Sequence, residues 1–137
     1  MKKNRISKNW INKQRRDIYV RQSKIEGYRS RAVYKLKEIN DKFNILRNGQ
    51  SIVDLGGAPG SWSQYLSSTL KNTKLLAIDL LEIQEIKNVK LMKGDFTDDI
   101  YKQKIKSFFN TKIDLVISDM AVNTTGDKNL DAIVTGE

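Results

Sequence analysis

The sequence predicts an α/β fold in which helices cover both faces of a doubly wound parallel sheet. Short apolar runs lie along the chain between stretches whose apolar residues recur at helical spacing, and a glycine-dense turn follows the first of these runs. At 137 residues, the chain has the length of about one domain.

The first predicted element of that domain is a helix over residues 30–43. Ser30 stands where an N-terminal capping residue is expected, and Asn48-Gly49 marks a turn after the helix. The apolar residues that recur at helical spacing are Ala32, Val33, Leu36 and Ile39.

The remaining elements follow in chain order. They are a buried strand over residues 51–55, a helix from Ser61 to about Leu70, a strand over 74–79, a shorter strand over 89–92, a helix over 97–109 capped by Thr97, and a strand over 113–118 that ends at Asp119.

Residues 120–137 are polar and hold no further strand and helix, so the predicted sheet stops after about its fourth strand. Such a sheet would have an uncovered edge. We therefore expect that the sequence is a fragment or that another chain completes it.

The positive charge of the chain is concentrated at its start. The first 40 residues carry 13 Lys and Arg against 3 Asp and Glu, whereas the remainder carries 12 against 13. The aromatic residues interleaved with these cations are Trp10, Tyr19, Tyr28 and Tyr34. This pattern predicts a basic, partly disordered nucleic-acid-binding arm over residues 1–28, poorly ordered over 1–16, followed by one domain over 29–137. The alternative is a basic tail that only increases solubility.

The composition excludes several kinds of site. The chain contains no cysteine and no histidine, so disulfides, thiolate or imidazole metal ligands, cysteine nucleophiles and histidine bases are excluded, and no metal site is predicted. No apolar run approaches the roughly 20 residues of a membrane helix. The basic N-terminus also lacks the apolar segment of a secretory signal. We expect a cytoplasmic protein that binds no membrane.

A glycine loop and three carboxylates lie at the predicted carboxyl ends of the strands, where open parallel sheets bind ligands. The glycines Gly56, Gly57 and Gly60 follow the first strand, and they permit positive φ angles and close approach of the backbone to a ligand. The carboxylates that end or follow the next three strands are Asp79, Asp95 and Asp119.

Each of these residues also has an ordinary structural explanation. The loop could be a tight turn between a strand and a helix, and Asp79 could cap a helix. Asp95 could belong to a Gly-Asp turn, and Asp119 could be a plain acid at a strand end. Trp62 has two interpretations of equal weight, since it could pack on a ligand or lie in the core.

The spacing of the loop narrows the choice of ligand. Gly56-x-x-x-Gly60 is neither the G-x-G-x-x-G of dinucleotide folds nor a P-loop, because no Lys follows Gly60. Asp79 lies 19 residues after Gly60, near the roughly 20 expected for an acid that binds ribose hydroxyls. An adenosine-bearing ligand without a pyrophosphate fits best, namely S-adenosylmethionine.

Five segments together carry a family resemblance. They are SRAVYKLKEI (30–39), VDLGGAPGSWSQY (53–65), AIDLLEI (77–83), KGDFTDD (93–99) and LVISDMAVNTTG (115–126). In order and spacing they resemble the FtsJ/RrmJ family, also called RlmE, the heat-shock ribosomal RNA 2′-O-methyltransferases. The resemblance implies a Rossmann-like methyltransferase fold, S-adenosylmethionine as cofactor, and methylation of a uridine ribose in the 23S RNA of the large ribosomal subunit. A monomer is expected.

The resemblance also implies cofactor-binding residues. Gly60 and Trp62 would line the methionine and ribose side of the pocket, with Gly56 in the same loop. Asp79 would lie at the adenosine end and Asp95 at the adenine.

The catalytic set of the family is Lys-Asp-Lys-Glu. Lys35 matches its first Lys, and Asp119, which would also lie beside the methyl group of the cofactor, matches its Asp. The second Lys and the Glu belong beyond residue 137. Arg29, Arg31 and Lys35 would contact the RNA backbone.

The sequence departs from the family pattern in two places. Val122 stands where a Pro is usual, which is expected to loosen the turn after Asp119, and Gly57 and Ser61 replace small residues that are often Ala and Gly. Two alternatives to the ribosomal RNA enzyme remain open. The first is a non-catalytic module that binds RNA and S-adenosylmethionine, and the second is a transfer RNA 2′-O-methyltransferase, which shares these motifs.

Overall fold

The computed structural model describes residues 2–119, and over this range it contains four helices and four strands. They are α1 (Lys2–Glu26), α2 (Val33–Phe43), β1 (Ser51–Leu55), α3 (Ser61–Thr69), β2 (Lys74–Asp79), β3 (Val89–Lys93), α4 (Asp99–Phe109) and β4 (Leu115–Ile117). The predictions made for residues 120–137, including the one for Val122, lie outside the described range.

The basic arm forms a helix, whereas little order was predicted for residues 1–16. α1 runs without interruption for 25 residues. The physical reason is that no Gly or Pro occurs before Gly27, and the many Lys, Arg and Gln residues favour helix. Gly27 ends the helix at a φ of 83°, and Tyr28 N–H then donates to the carbonyl of Ser23 at 2.8 Å. None of the described helices is long and apolar enough to cross a membrane.

Two predicted helix starts are shifted towards the C-terminus. α2 begins at Val33, and Ser30 precedes it, with its Oγ accepting from the N–H of Ala32 at 3.3 Å. α4 begins at Asp99, and its capping side chain is Asp98, which accepts from the N–H of Ile100. Thr97 was predicted to be that cap, but its side chain bonds to Asp95 instead.

The strands form one parallel sheet in the order β3-β2-β1-β4, which confirms the predicted fold class. β1, β2 and β3 agree with the prediction to within one residue. β4 is shorter than predicted, because it pairs with β1 only from Leu115 to Ile117.

Alternate residues of β1 and β2 face opposite layers of the core, as the period of two in a strand requires. Ile52 and Leu75 pack in the layer that contains α2 and α3. Val53 and Leu76 pack on the other face, against Phe109 of α4. Helices therefore cover both faces of the sheet, which is the doubly wound arrangement.

The register aligns the carboxyl ends of β2, β1 and β4, which are neighbours in the sheet. Leu55 of β1 pairs with Ile78 of β2, and Asp54 pairs with Ile117 of β4. The glycine loop after β1, Asp79 at the end of β2 and Asp119 after β4 therefore lie at one edge of the sheet.

Trp62 joins α3 to the start of α2. Its indole ring is only 3% exposed, and its Nε1–H donates to the carbonyl oxygen of Ala32 at 2.7 Å. This bond fixes the segment before α2 against the sheet, since the ring also packs in the core layer beneath that segment.

We predict that Trp62→Phe lowers the free energy of unfolding by about 2 kcal/mol, because it removes the indole bond to the Ala32 carbonyl and leaves a small void beside the ring. The Ala32 carbonyl would keep only its bond from the N–H of Lys35 at 3.1 Å. Trp10→Phe is the matched control, because Trp10 is 59% exposed on α1, and it should change that free energy by less than about 0.5 kcal/mol. Urea unfolding followed by far-UV circular dichroism measures both. Equal stabilities for the two variants would contradict the role given to the indole bond.

Candidate functional site

A cavity of about 480 Å³ opens at the carboxyl edge of the sheet. One wall comes from the segment between α1 and α2 together with the start of α2, including Arg31 and Lys35. The opposite wall comes from the glycine loop, and Asp54 and Asp119 contribute carboxylates. Two chain segments that are far apart in sequence thus enclose one space.

The glycine loop is held by backbone bonds to the neighbouring strand. The N–H groups of Gly56 and Gly57 both donate to the carbonyl of Ile78, at 2.8 and 3.2 Å. Gly56 has a φ of 70°, as predicted, but Gly57 does not adopt a positive φ. Gly57 is needed for space instead, because a Cβ there would lie 2.9 Å from Oδ2 of Asp54.

Asp54 is a buried carboxylate in the cavity wall that the sequence analysis missed. It is 2% exposed, and its Oδ2 accepts a hydrogen bond from Ser63 at 2.9 Å. Burial, together with the charges of Asp119 and Asp79, raises its pKa to about 7, although the hydrogen bond from Ser63 acts in the opposite direction. The available signal was an acidic residue inside the apolar run SIVDL, where most acids would be excluded.

Asp119 is half-buried and faces two cations. Burial raises the pKa of its carboxyl group, while the charges of Lys35 and Arg31 act in the opposite direction. Lys35 and Arg31 are themselves exposed, and all three residues line the cavity. The structure therefore brings together the predicted catalytic pair and one predicted RNA contact.

Trp62 lies mainly in the core, and its predicted contact with a ligand stays a prediction. Its ring is buried beside Leu66 and Ile52, and part of it forms the floor of the cavity. Any contact with a ligand would use that part of the ring.

Asp79 holds the loops around the cavity without lining it. Its Oδ2 accepts from the N–H of Ala58 at 3.0 Å, and its Oδ1 accepts from the N–H of Leu81 at 2.8 Å. The carboxylate thus fixes the glycine loop to the chain that leaves β2. Its predicted contact with a ligand stays a prediction.

Gly60 and Asp95 also lie outside the cavity wall. Gly60 precedes α3 at a φ of 117°, and a Cβ there would lie 2.9 Å both from Nη1 of Arg29 and from Cδ1 of Ile86. Asp95 is exposed and accepts from the N–H and the hydroxyl of Thr97, which lowers the pKa of its carboxyl group. Their cofactor roles stay predictions.

The guanidinium group of Arg29 is bonded to the domain, and its predicted RNA contact stays a prediction. The group donates to three backbone carbonyls, those of Pro59, Gln84 and Glu85. Arg29 thus lies against the glycine loop, apart from the exposed Arg31.

Tyr19 of α1 reaches the cavity and stacks on Tyr34 of α2, with ring centroids 5.2 Å apart and an angle of 25° between the planes. The Tyr34 hydroxyl donates to Glu26 at 2.6 Å, and burial together with that carboxylate raises the pKa of Tyr34. Lys37 lies over the Tyr34 ring and pairs with Glu26 at 3.6 Å. The end of the arm is therefore packed on the domain. The sequence had marked Tyr19 and Tyr34 only as aromatic residues among cations.

Within residues 2–119, no three acidic side chains meet in a group that could hold a metal ion. The charged residues that line the cavity are three acids, Glu38, Asp54 and Asp119, and two cations, Arg31 and Lys35.

Comparison with known proteins gives consistent similarities. Residues 28–136 match the model of the FtsJ-like methyltransferase family. The chain is 63% identical over its whole length to ribosomal RNA large subunit methyltransferase E of Pelagibacter ubique, of which it spans 68%. It is 46% identical over 133 residues to the protein of the same name from Brucella ovis, of which it spans 55%. A crystal structure of a ribosomal RNA methyltransferase from Plasmodium falciparum matches with a TM-score of 0.61 and 35% identity, over 74% of this chain and 60% of that one.

Asp54 should make the stability of the protein depend on pH. In the folded state its carboxyl group keeps its proton up to about pH 7, whereas the unfolded chain releases it near 3.8. The folded state therefore binds more protons between these values, and its free energy of unfolding falls over this window as pH rises, by up to about 4 kcal/mol from this group.

We predict that Asp54→Asn removes this dependence, so that the variant gains stability relative to the wild type between pH 4 and pH 8. Urea unfolding at a series of pH values measures the difference. Asp41→Asn, at an exposed position of α2, should follow the wild-type profile. Parallel profiles for Asp54→Asn and the wild type would show that the buried carboxyl group titrates normally.

Proposed function

The chain belongs to the FtsJ-like methyltransferase family, and we propose that it serves in S-adenosylmethionine-dependent methylation of a uridine 2′-hydroxyl in large-subunit ribosomal RNA. The observation that carries this proposal is the meeting of Lys35, Arg31 and Asp119 at a cavity closed by the glycine loop. The relatives described above are named as large-subunit ribosomal RNA methyltransferases, which supports ribosomal RNA as the substrate class.

The residues of the cavity fit S-adenosylmethionine in size and charge. A volume of about 480 Å³ lies within the usual range for a small-molecule site. The cofactor carries a sulfonium and an ammonium group, and the carboxylates of Asp54 and Asp119 offer opposite charge. A cation bound near Asp54 would stabilise its ionised form and offset the cost of its burial. The glycine loop lines the cavity with its backbone, and its spacing is not that of a loop that binds a pyrophosphate.

The chemistry requires a positioned ribose hydroxyl, because such a hydroxyl is a weak nucleophile. Bound S-adenosylmethionine would supply an electrophilic methyl group. Lys35 and Arg31 would bind the ribose-phosphate backbone, and Asp119 would orient the hydroxyl towards that methyl group and balance the charge of Lys35. The family resemblance assigns the proton acceptor to the second Lys of the Lys-Asp-Lys-Glu set, of which Lys35 and Asp119 match the first two members. The chain would thus supply the cofactor pocket and half of the catalytic set.

The basic arm would bind RNA phosphates and bring the substrate to the cavity. Its cations lie on an exposed helix whose end packs beside the cavity through Tyr19. Contacts to phosphate and ribose position an RNA without reading its bases. We further propose that the protein acts as a monomer in the cytoplasm.

The cofactor assignment predicts that the chain binds S-adenosylmethionine and that Asp79→Ala raises the dissociation constant at least tenfold. Loss of the carboxylate would free the N–H groups of Ala58 and Leu81 and remove the predicted adenosine contact. Isothermal titration calorimetry measures both proteins. Asp41→Ala is the matched control, because it removes a carboxylate from an exposed position on α2. Equal affinities for Asp79→Ala and the wild type would refute the assignment of the pocket.

The arm assignment predicts a steep salt dependence of binding to a 23S RNA fragment. Replacing Lys8, Lys13 and Arg15 together by Gln should reduce the slope of log affinity against log salt by about 2, since each phosphate contact contributes roughly 0.7 to 0.9. All three residues are exposed on α1.

The matched control replaces Lys102, Lys104 and Lys106 by Gln, three exposed cations of α4 on the far side of the sheet. Filter binding with both variants should show the reduced slope for the arm alone. An unchanged slope in the arm variant would make α1 a tail without an RNA role. Tighter binding of transfer RNA than of the 23S fragment would favour the transfer RNA branch of the family.

A further inference from the structure

Arg29 joins two loops at the edge of the candidate site. Its Nη1 donates to the carbonyl of Pro59 at 2.9 Å and to that of Gln84 at 2.7 Å, and its Nη2 donates to the carbonyl of Glu85 at 2.6 Å. Pro59 belongs to the glycine loop after β1, and Gln84 and Glu85 belong to the segment after β2. One side chain thus bridges the two loops that leave the central strands.

This bridge depends on the shape of the guanidinium group. Arginine presents five N–H donors in a fixed plane, and three of them are used here on carbonyls of two segments. A lysine ammonium group is a single point with three rotating donors, and it could not span the same carbonyls with this geometry.

The surrounding contacts hold Arg29 in this position. Its backbone N–H donates to Oε1 of Gln64 on α3 at 2.8 Å, and Nε2 of Gln64 returns a bond to the carbonyl of Gly27. Gly60 leaves room for the side chain, because a Cβ at that position would lie 2.9 Å from Nη1 of Arg29. The main chain of Arg29 is therefore fixed to α3, and its side chain is fixed to the glycine loop.

The second loop is itself tied to the first. Ile83 and Ile86, on either side of Gln84 and Glu85, are buried against Ala77 of β2, and Ala58 of the glycine loop packs on the same cluster. The bonds of Arg29 join the same two loops that this cluster joins, so a displacement of one loop would displace the other.

We infer that Arg29 is a positioning residue, which fixes the glycine loop for cofactor binding and is not a phosphate contact of the arm. The inference rests on the proposed function for the identity of the cofactor. It separates Arg29 from Arg31, two residues further along, whose exposed side chain faces the cavity and Asp119.

The test compares Arg29→Lys and Arg29→Gln in the whole chain. Both variants should weaken S-adenosylmethionine binding about tenfold or more in calorimetry, because neither side chain can bridge three carbonyls. Both should also speed hydrogen–deuterium exchange over residues 56–60 and 83–86 while leaving β1 and β2 protected. Neither should change the salt slope of RNA binding.

Two arginine variants serve as controls. Arg47→Gln makes the same chemical change at an exposed position at the other end of β1, and it should leave cofactor affinity and exchange unchanged. Arg31→Gln should lower the salt slope by about 0.7 to 0.9, as expected for the loss of one phosphate contact.

Several results would overturn the inference. If Arg29→Lys keeps the wild-type affinity for S-adenosylmethionine and the wild-type hydrogen–deuterium exchange, the planar guanidinium group is not required. A lowered salt slope with unchanged cofactor affinity would make Arg29 an RNA contact. If neither variant folds, Arg29 is required for the folding of the domain and is not specifically a positioning residue of the glycine loop. If the wild type binds no S-adenosylmethionine, the proposed function fails, and the exchange of the two loops still decides the role of Arg29.

Discussion

Parallel, in-register pairing of β1 with β2 on one side and β4 on the other is the constraint on which the rest of the structure depends. It aligns three carboxyl ends, so the glycine loop, Asp79 and Asp119 lie at the same edge of the sheet. The alternation of side chains along β1 then gives each face its own core layer. It also turns Asp54 to the face covered by α3, where Ser63 donates to it.

Three carboxylates lie at one edge of the sheet, where the charges of Asp79 and Asp119 disfavour the ionisation of Asp54, and each carboxylate has different partners. Asp79 accepts two backbone N–H groups, and Asp119 faces Lys35 and Arg31. Asp54 has a hydroxyl donor, but among the residues that the structure describes no cation acts on it, and its pKa is raised because burial disfavours the ionised form. A buried acid of this kind is unfavourable for stability as pH rises, and a cationic ligand would relieve it. Such local costs are common where a protein maintains a binding site.

Much of the fold could be predicted because its signals are local. The apolar runs of β1 and β2 and the glycine turn between β1 and α3 specify strand, turn and helix from adjacent residues. The errors lie where local signals compete. α2 begins at Val33, later than predicted, because the turn before it has hydrogen bonds between residues three apart. Asp98, and not Thr97, caps α4. The arm is helical because it lacks Gly and Pro. In the site, the sequence identified Lys35, Asp119 and Gly56, which line the cavity, but it passed over Asp54.

The sequence by itself determined the alternation of strands and helices, the loop spacing that disfavours a dinucleotide or P-loop site, and the concentration of positive charge in the first 40 residues. These are properties of neighbouring residues. Only the tertiary structure decided what individual polar residues do. Arg29 and Arg31 look alike in the sequence, yet one bonds to three carbonyls and the other faces the cavity. The reason is that hydrogen bonds and desolvation depend on partners that lie 30 or more residues away, and no local pattern records which partner each side chain will meet.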